Sequence, residues 1–167
     1  MTEADESAFR AYAVARRPAL RRTAYLMCGD WHQADDLVQT TLTKLFVAWK
    51  RLRSDEQPDA YVRRILTRCY LDERRRPWRR EAPFEVLEDQ AAPEQLGVEH
   101  LELRDALDRL PARQRATVVL RFWADASVIE TAEALGCSEG TVKSQTARAL
   151  STLRSLLADP VLAEEMS

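Results

Sequence analysis

Between Ser127 and Leu150 the chain sets small, polar and basic residues at spacings suited to the edges of DNA bases. Ser127 and Glu130 stand three apart, the spacing of a capping box that starts a helix. Thr131, Ala132 and Leu135 give that helix an apolar side, and Gly136 supplies the left-handed residue that a tight turn needs. Ser138 can cap a second helix whose Val142, Ala149, Leu150 and Leu153 face inward. Its other face carries Thr141, Lys143, Ser144, Gln145 and Arg148. This pattern predicts a helix-turn-helix whose second helix enters the major groove.

A second constellation is dense in arginine: Arg63, Arg64, Arg68, Arg74, Arg75, Arg76, Arg79 and Arg80, with Tyr61, Tyr70 and Trp78 interleaved. Guanidinium groups pair with phosphates, and an exposed aromatic ring offers a stacking surface for an unpaired base. A solvated helix face with core aromatics is the plainer alternative. Asp35 and Asp36 lie near a helix start, where the helix dipole favours negative charge. No third metal ligand, phosphate-binding loop or nucleophile–base pair accompanies them, so neither a catalytic nor a metal site is expected, and no cofactor. Cys28, Cys69 and Cys137 share no metal-ligand spacing and read as small buried thiols of a reducing compartment.

The elements that must position these residues are helical. The chain has 167 residues, 46% hydrophobic and 31% charged, with only four glycines and no Asn-Gly hairpin signal, which predicts an all-α protein. Net charge is −2, but it is segregated: +6 over residues 1–80, −6 over 81–100 and −2 over 101–167. A locally basic face can bind DNA on a globally acidic protein. Residues 1–80 are expected to form one helical domain. Its first helix runs from about Glu6 to Arg16, Pro18 opens a second, and a turn follows at Gly29–Asp30. Leu37, Val38, Leu42, Leu45, Phe46, Trp49 and Leu52 then form one stripe of a long helix from Ala34 to Leu52. Asp59 can cap a further helix, Ala60 to about Arg76. Residues 81–98 read as a flexible acidic linker, 99–158 as a second small helical domain ending in the helix-turn-helix, and 159–167 as a tail. No signal peptide or membrane span is evident, so a cytoplasmic location is expected.

Three segments occur together and in order: Ala34–Asp–Asp–Leu–Val–Gln–Thr–Thr–Leu, Pro58–Asp–Ala–Tyr–Val–Arg–Arg–Ile, and Leu110–Pro–Ala–Arg–Gln–Arg running on through Gly140 to Leu150. In this the chain resembles the extracytoplasmic-function sigma factors of bacteria, most closely their actinobacterial SigE-like branch. The resemblance implies a protein that binds core RNA polymerase and directs it to promoters without doing covalent chemistry itself. Residues 1–80 then correspond to sigma region 2. Asp36, Gln39, Thr40 and Phe46 would dock on the β′ clamp helices of core polymerase. The loop Arg53 to Pro58 and the helix bearing Tyr61, Arg63, Arg64, Arg68, Arg74, Arg75 and Arg76 would take the minus-ten element.

Residues 99–158 correspond to sigma region 4, which also meets the β flap. There Lys143, Ser144 and Ala147 would face base edges of the minus-thirty-five element. Ser138, Thr141 and Arg148 would meet phosphates, and Gln145 could do either. An anti-sigma partner is common in the family. Two small domains on a slack tether would need the polymerase to fix their separation. The rival readings are a stand-alone helix-turn-helix regulator with a sensory N-terminal domain, and an enzyme with an accessory DNA-binding unit.

Overall fold

A computed structural model describes residues 1–55, 57–75 and 98–157, and all the regular structure among them is α-helical. The helices are α1 (Glu3–Cys28), α2 (Trp31–Asp55), α3 (Pro58–Arg75), α4 (Val98–Asp108), α5 (Ala112–Phe122), α6 (Val128–Leu135) and α7 (Glu139–Leu156). The expected acidic linker (up to residue 97), Arg76, Trp78, Arg79, Arg80 and the tail from residue 158 lie outside the described residues.

The first helix is one element, not two. Thr2 and Asp5 form a reciprocal capping box at its start, and it runs unbroken past Pro18 to a left-handed Gly29 (φ 81°). Proline removes the hydrogen bond to the carbonyl four residues earlier. Here that carbonyl belongs to Val14, on an exposed stretch with Pro18, where water can replace the missing donor.

The turn at Gly29 and Asp30 sends α2 back along α1. Asp30 starts it by accepting from the backbone N–H of His32 at 2.8 Å. The antiparallel pairing shows in its cross-contacts. Tyr25 stacks on Trp31 with ring centroids 3.8 Å apart, Arg21 bridges Asp35 at 2.6 Å, and Phe9 and Tyr12 both meet Trp49. The leucine stripe of α2 is buried as its period requires, except that Phe46 remains 39% exposed, its ring edge-on to Phe9. Helix α3 closes the group. Asp59 does not cap it but sits in its first turn, where Tyr12 and Arg16 of α1 both donate to its carboxylate.

Helices α4 to α7 wrap a second set of buried side chains that includes Leu107, Val118, Val119, Leu120, Leu135, Val142, Ala149 and Leu153. The two sets are not separate. Helix α1 packs on α4 and α5, α3 packs on α5 and α6, and one continuous core joins the groups. Both helical groups expected from the sequence are thus present, and in this structure they pack on one another. The physical cause lies in two arginines of the second group. Arg115, 1% exposed, donates to the carbonyls of Met27 (2.8 Å), Asp108 (2.9 Å) and Leu110 (3.0 Å). Arg104, 4% exposed, donates to the carbonyl of Leu26 at 3.0 Å and pairs with Asp108.

The last carbonyls of a helix lack intrahelical donors and carry the negative end of its dipole. The last turn of α1 has no basic residue of its own, so the second group supplies the cations. The approach is close enough that a Cβ on Gly29 would overlap the Arg104 guanidinium.

Candidate nucleic-acid interface

The helix-turn-helix is built by its caps. The Ser127 hydroxyl accepts from the Glu130 N–H at 3.0 Å, and the Glu130 carboxylate accepts from the Ser127 N–H at 2.9 Å. That backbone donor is the main reason the Glu130 carboxyl lies below the ordinary glutamate range; the Ser127 side chain and the Arg63 charge also lower it, while partial burial opposes them. Helix α6 stops at Gly136 (φ 67°), whose N–H bonds the Ala132 carbonyl. Ser138 then caps α7, accepting from the Thr141 N–H at 3.1 Å.

On α7, Val142, Ala149 and Leu153 are buried, and with a helical period their opposite face must point outward. Lys143, Ser144, Ala147 and Arg148 are exposed there, while Thr141 and Gln145 flank them half-buried. Ser138 is exposed at the helix start, where free N–H groups and the dipole favour a phosphate. The Ser144 hydroxyl donates to the Thr141 carbonyl at 3.0 Å, which leaves its oxygen able to accept. The seven residues expected to touch DNA thus run from the cap to the middle of the helix, with Lys143, Ser144, Ala147 and Arg148 open and Thr141 and Gln145 at the margins of that face.

The arginine helix divides differently. Arg68, Arg74 and Arg75 are exposed on α3. Arg64 lies over the Tyr61 ring, 5.4 Å from its centroid. Arg63 is bound by Glu130 of α6. Of the interleaved aromatics, Tyr61 and Tyr70 lie among the described residues, and neither offers an open stacking platform. Tyr61 is 8% exposed, its ring inside the α2–α3 packing and its hydroxyl 3.4 Å from the Lys44 carbonyl; Tyr70 is wholly buried. The helical period that sets Val62, Leu66 and Cys69 inward carries both tyrosines with them. What remains open on α3 is charge, the guanidiniums of Arg68, Arg74 and Arg75 beside the carboxylate of Asp72, and the guanidiniums are suited to phosphates.

A third surface runs along α2. Asp36, Gln39, Thr40, Thr43, Phe46 and Val47 are exposed at three- and four-residue steps on the side away from the core, with Val47 82% exposed. The neighbouring acids of the sequence part ways here. Asp35 is tied to Arg21, whereas Asp36 faces outward.

Sequence reasoning missed the buried pair Arg104 and Arg115. A signal exists in retrospect. Arg104 stands three before Leu107, and Arg115 three and four before Val118 and Val119, so both lie on the apolar faces of their helices. Where the groups meet, a cleft of about 590 Å³ is lined by Tyr12, Arg16, Asp59, Arg63, Leu120 and Trp123 among others. Burial, then the hydrogen bond to Asp59, pushes the Tyr12 hydroxyl above its ordinary range, so it stays protonated and serves as a donor.

Comparison with known proteins covers both helical groups. The family model "Sigma-70 region 2" matches residues 13–80, and "Sigma-70, region 4" matches residues 100–153. The chain is 39% identical to the RNA polymerase sigma-E factor of Streptomyces avermitilis over 153 residues, covering 87% of this chain and 83% of that protein. It is 36% identical to the ECF RNA polymerase sigma factor SigM of Mycobacterium tuberculosis, covering 83% of this chain and 71% of that protein. Among solved structures, the sigma factor RpoE of Bartonella quintana, in complex with the anti-sigma factor NepR, is similar with a TM-score of 0.76 and 28% identity. That match covers 89% of this chain and 96% of RpoE. These likenesses span both helical groups, and the chain belongs to the extracytoplasmic-function sigma factors of the sigma-70 family.

Proposed function

We propose that the chain works as a promoter-reading subunit through the three surfaces described. Residues 1–80 form region 2, 81–98 a connecting tether, 99–158 region 4 and 159–167 a tail. The exposed side of α2, with Asp36, Gln39, Thr40 and Phe46, docks on the β′ clamp helices of core RNA polymerase, and region 4 meets the β flap. The arginines of α3 hold the phosphates of the minus-ten element as it unpairs, and Tyr61 supports Arg64 from beneath instead of stacking on a base. On α7, Lys143, Ser144 and Ala147 read base edges of the minus-thirty-five element, while Ser138, Thr141 and Arg148 fix the register on phosphates. Gln145 stands between the two sets.

The observation that carries this reading is the outward face of α7. Its polar and basic residues occupy the capped half of a helix whose inward side buries Val142, Ala149 and Leu153. The chain performs no covalent chemistry in this role; the polymerase makes the RNA. A cytoplasmic location follows from that partner. It is in keeping with the described residues, none of whose helices is long and apolar enough to cross a membrane. An anti-sigma protein is a further partner, supported by the similarity to RpoE bound to NepR and to CnrH bound to the cytosolic domain of CnrY.

The test is run-off transcription from a genomic DNA library with purified chain and core polymerase. Initiation at discrete promoters only when both are present is the expected result. Silence, or equal initiation by core alone, overturns the reading.

A further inference from the structure

Helix α5 carries two arginines that hold the next helix at its two ends. Arg121 donates from Nη1 to the carbonyl of Ala126 at 2.7 Å, just ahead of the Ser127 cap that starts α6. Arg113 donates from Nη2 to the carbonyl of Leu135 at 2.9 Å, on the last residue of α6. Arg121 thus holds the entry to the helix-turn-helix, and Arg113 the point from which the reading helix departs.

The end of α6 needs such a partner. A helix leaves its last carbonyls without intrahelical donors, and its dipole puts negative charge there. Helix α6 has only eight residues and no base in its own last turn. The N–H groups of Gly136 and Cys137 both serve the Ala132 carbonyl, so the Leu135 carbonyl is left to Arg113. Packing does not wedge the turn at Gly136, which is exposed at φ 67° and where a Cβ would meet nothing within 4 Å. Ser138, the cap of α7, follows two positions later.

We infer that Arg113 is a positioning residue for base reading: its bond to the Leu135 carbonyl sets the angle at which α7 leaves the turn. The inference rests on the reading of α7 as the helix that meets the minus-thirty-five element. The lever is long. Ala147 lies about 12 Å along the axis from the first residue of α7, so a tilt of about 5° at the turn carries it about 1 Å sideways. Hydrogen bonds to base edges accept a spread of about 0.5 Å. The flexible side chains of Lys143 and Arg148 follow a phosphate through a shift of that size. Val142, Ala149 and Leu153 hold the body of α7 against the core, so the bond trims the angle and does not create it. Its loss blurs base reading before it weakens the grip on phosphates.

The test uses the full chain with core polymerase, on a promoter found by run-off transcription and on the same promoter with its upstream element scrambled. Arg113→Ala is expected to lower the preference for the intact element about fivefold or more, with the slope of affinity against salt unchanged. Arg113→Lys, whose ammonium can still donate to a carbonyl, should restore most of the preference. Circular dichroism melting of the three proteins reports on stability alone.

Equal loss on both promoters, in step with a fall in melting temperature, makes Arg113 a support of the fold only and overturns the inference. So does an unchanged preference. A salt slope reduced by about 1 in Arg113→Ala means that the guanidinium grips a phosphate directly, which also overturns it. Failure of lysine to restore the preference overturns the hydrogen bond as the cause. The underlying reading fails separately: an unmodified chain that does not distinguish the two promoters tells against α7 as the reader, whatever Arg113 does.

Discussion

Arg115 of α5 donates to the carbonyl oxygen of Met27 at the end of α1, 2.8 Å away and 88 positions earlier in the chain. The same guanidinium serves two carbonyls of its own helical group, so one buried cation stitches local and distant backbone together. Burial lowers its pKa, yet a guanidinium remains charged at any ordinary pH. Replacing Arg115 by leucine leaves three carbonyls without this donor. At about 1–3 kcal/mol for each buried group left unsatisfied, a loss of about 3 kcal/mol or more is expected. Urea denaturation followed by circular dichroism measures it. A loss below about 1 kcal/mol would mean that water reaches these carbonyls.

Glu130 gives the start of α6 a pH dependence. Its carboxyl is held low in the folded protein, first by the Ser127 backbone N–H. A group depressed on folding contributes stability that is fully present above its unfolded value, near 4.5, and is lost as pH falls through the lower folded value. The melting temperature should therefore drop on acidification in that window, and drop less for Glu130→Gln, which has no proton to take up there. Equal acid sensitivity of the two proteins would assign the effect to other carboxylates.

Lys143 and Arg148 should fail in different ways. Lys143→Ala is expected to cost about 1–3 kcal/mol at the preferred upstream sequence and to flatten the ranking of promoters. Arg148→Ala is expected to weaken all sequences alike and to reduce the slope of affinity against salt by about 1. Footprinting of the polymerase complex, with a salt titration, separates them. If promoter ranking is unchanged in Lys143→Ala, that residue does not read bases.

The outward side of α2 can be tested without disturbing the core. Thr40 is exposed and points away from α1 and α3, so Thr40→Arg should shift stability by no more than about 0.5 kcal/mol. Binding to core polymerase should weaken about tenfold or more, equivalent to about 1.4 kcal/mol. Surface plasmon resonance against immobilised core measures the change. Unaltered affinity would move the docking surface elsewhere.

Local pattern carried the elements, and proximity in three dimensions supplied what it lacked. The leucine stripe of α2, the Ser127–Glu130 box, the Gly136 turn and the Ser138 cap were all legible, because each is a rule about residues three or four apart. Pro18 misled, since a proline says that a hydrogen bond is missing but not whether water stands ready to replace it. Tyr61 falls on the inward side of α3 with Ile65, Leu66 and Cys69, so its burial is legible in the sequence, whereas the burial of Tyr70 shows only in the folded chain. The docking of the two groups was illegible because it depends on arginines that meet carbonyls. Every residue has a carbonyl, and nothing in its side chain announces which one will be gripped.

At Gly29 the two halves of the molecule approach so nearly that a Cβ would stand 2.1 Å from the end of the Arg104 side chain. A larger residue there has to adopt a rare backbone angle at the helix end and also to move the Arg104 guanidinium from its place. A change at position 29 therefore registers in a side chain 75 positions further along the chain, in the other half of the molecule.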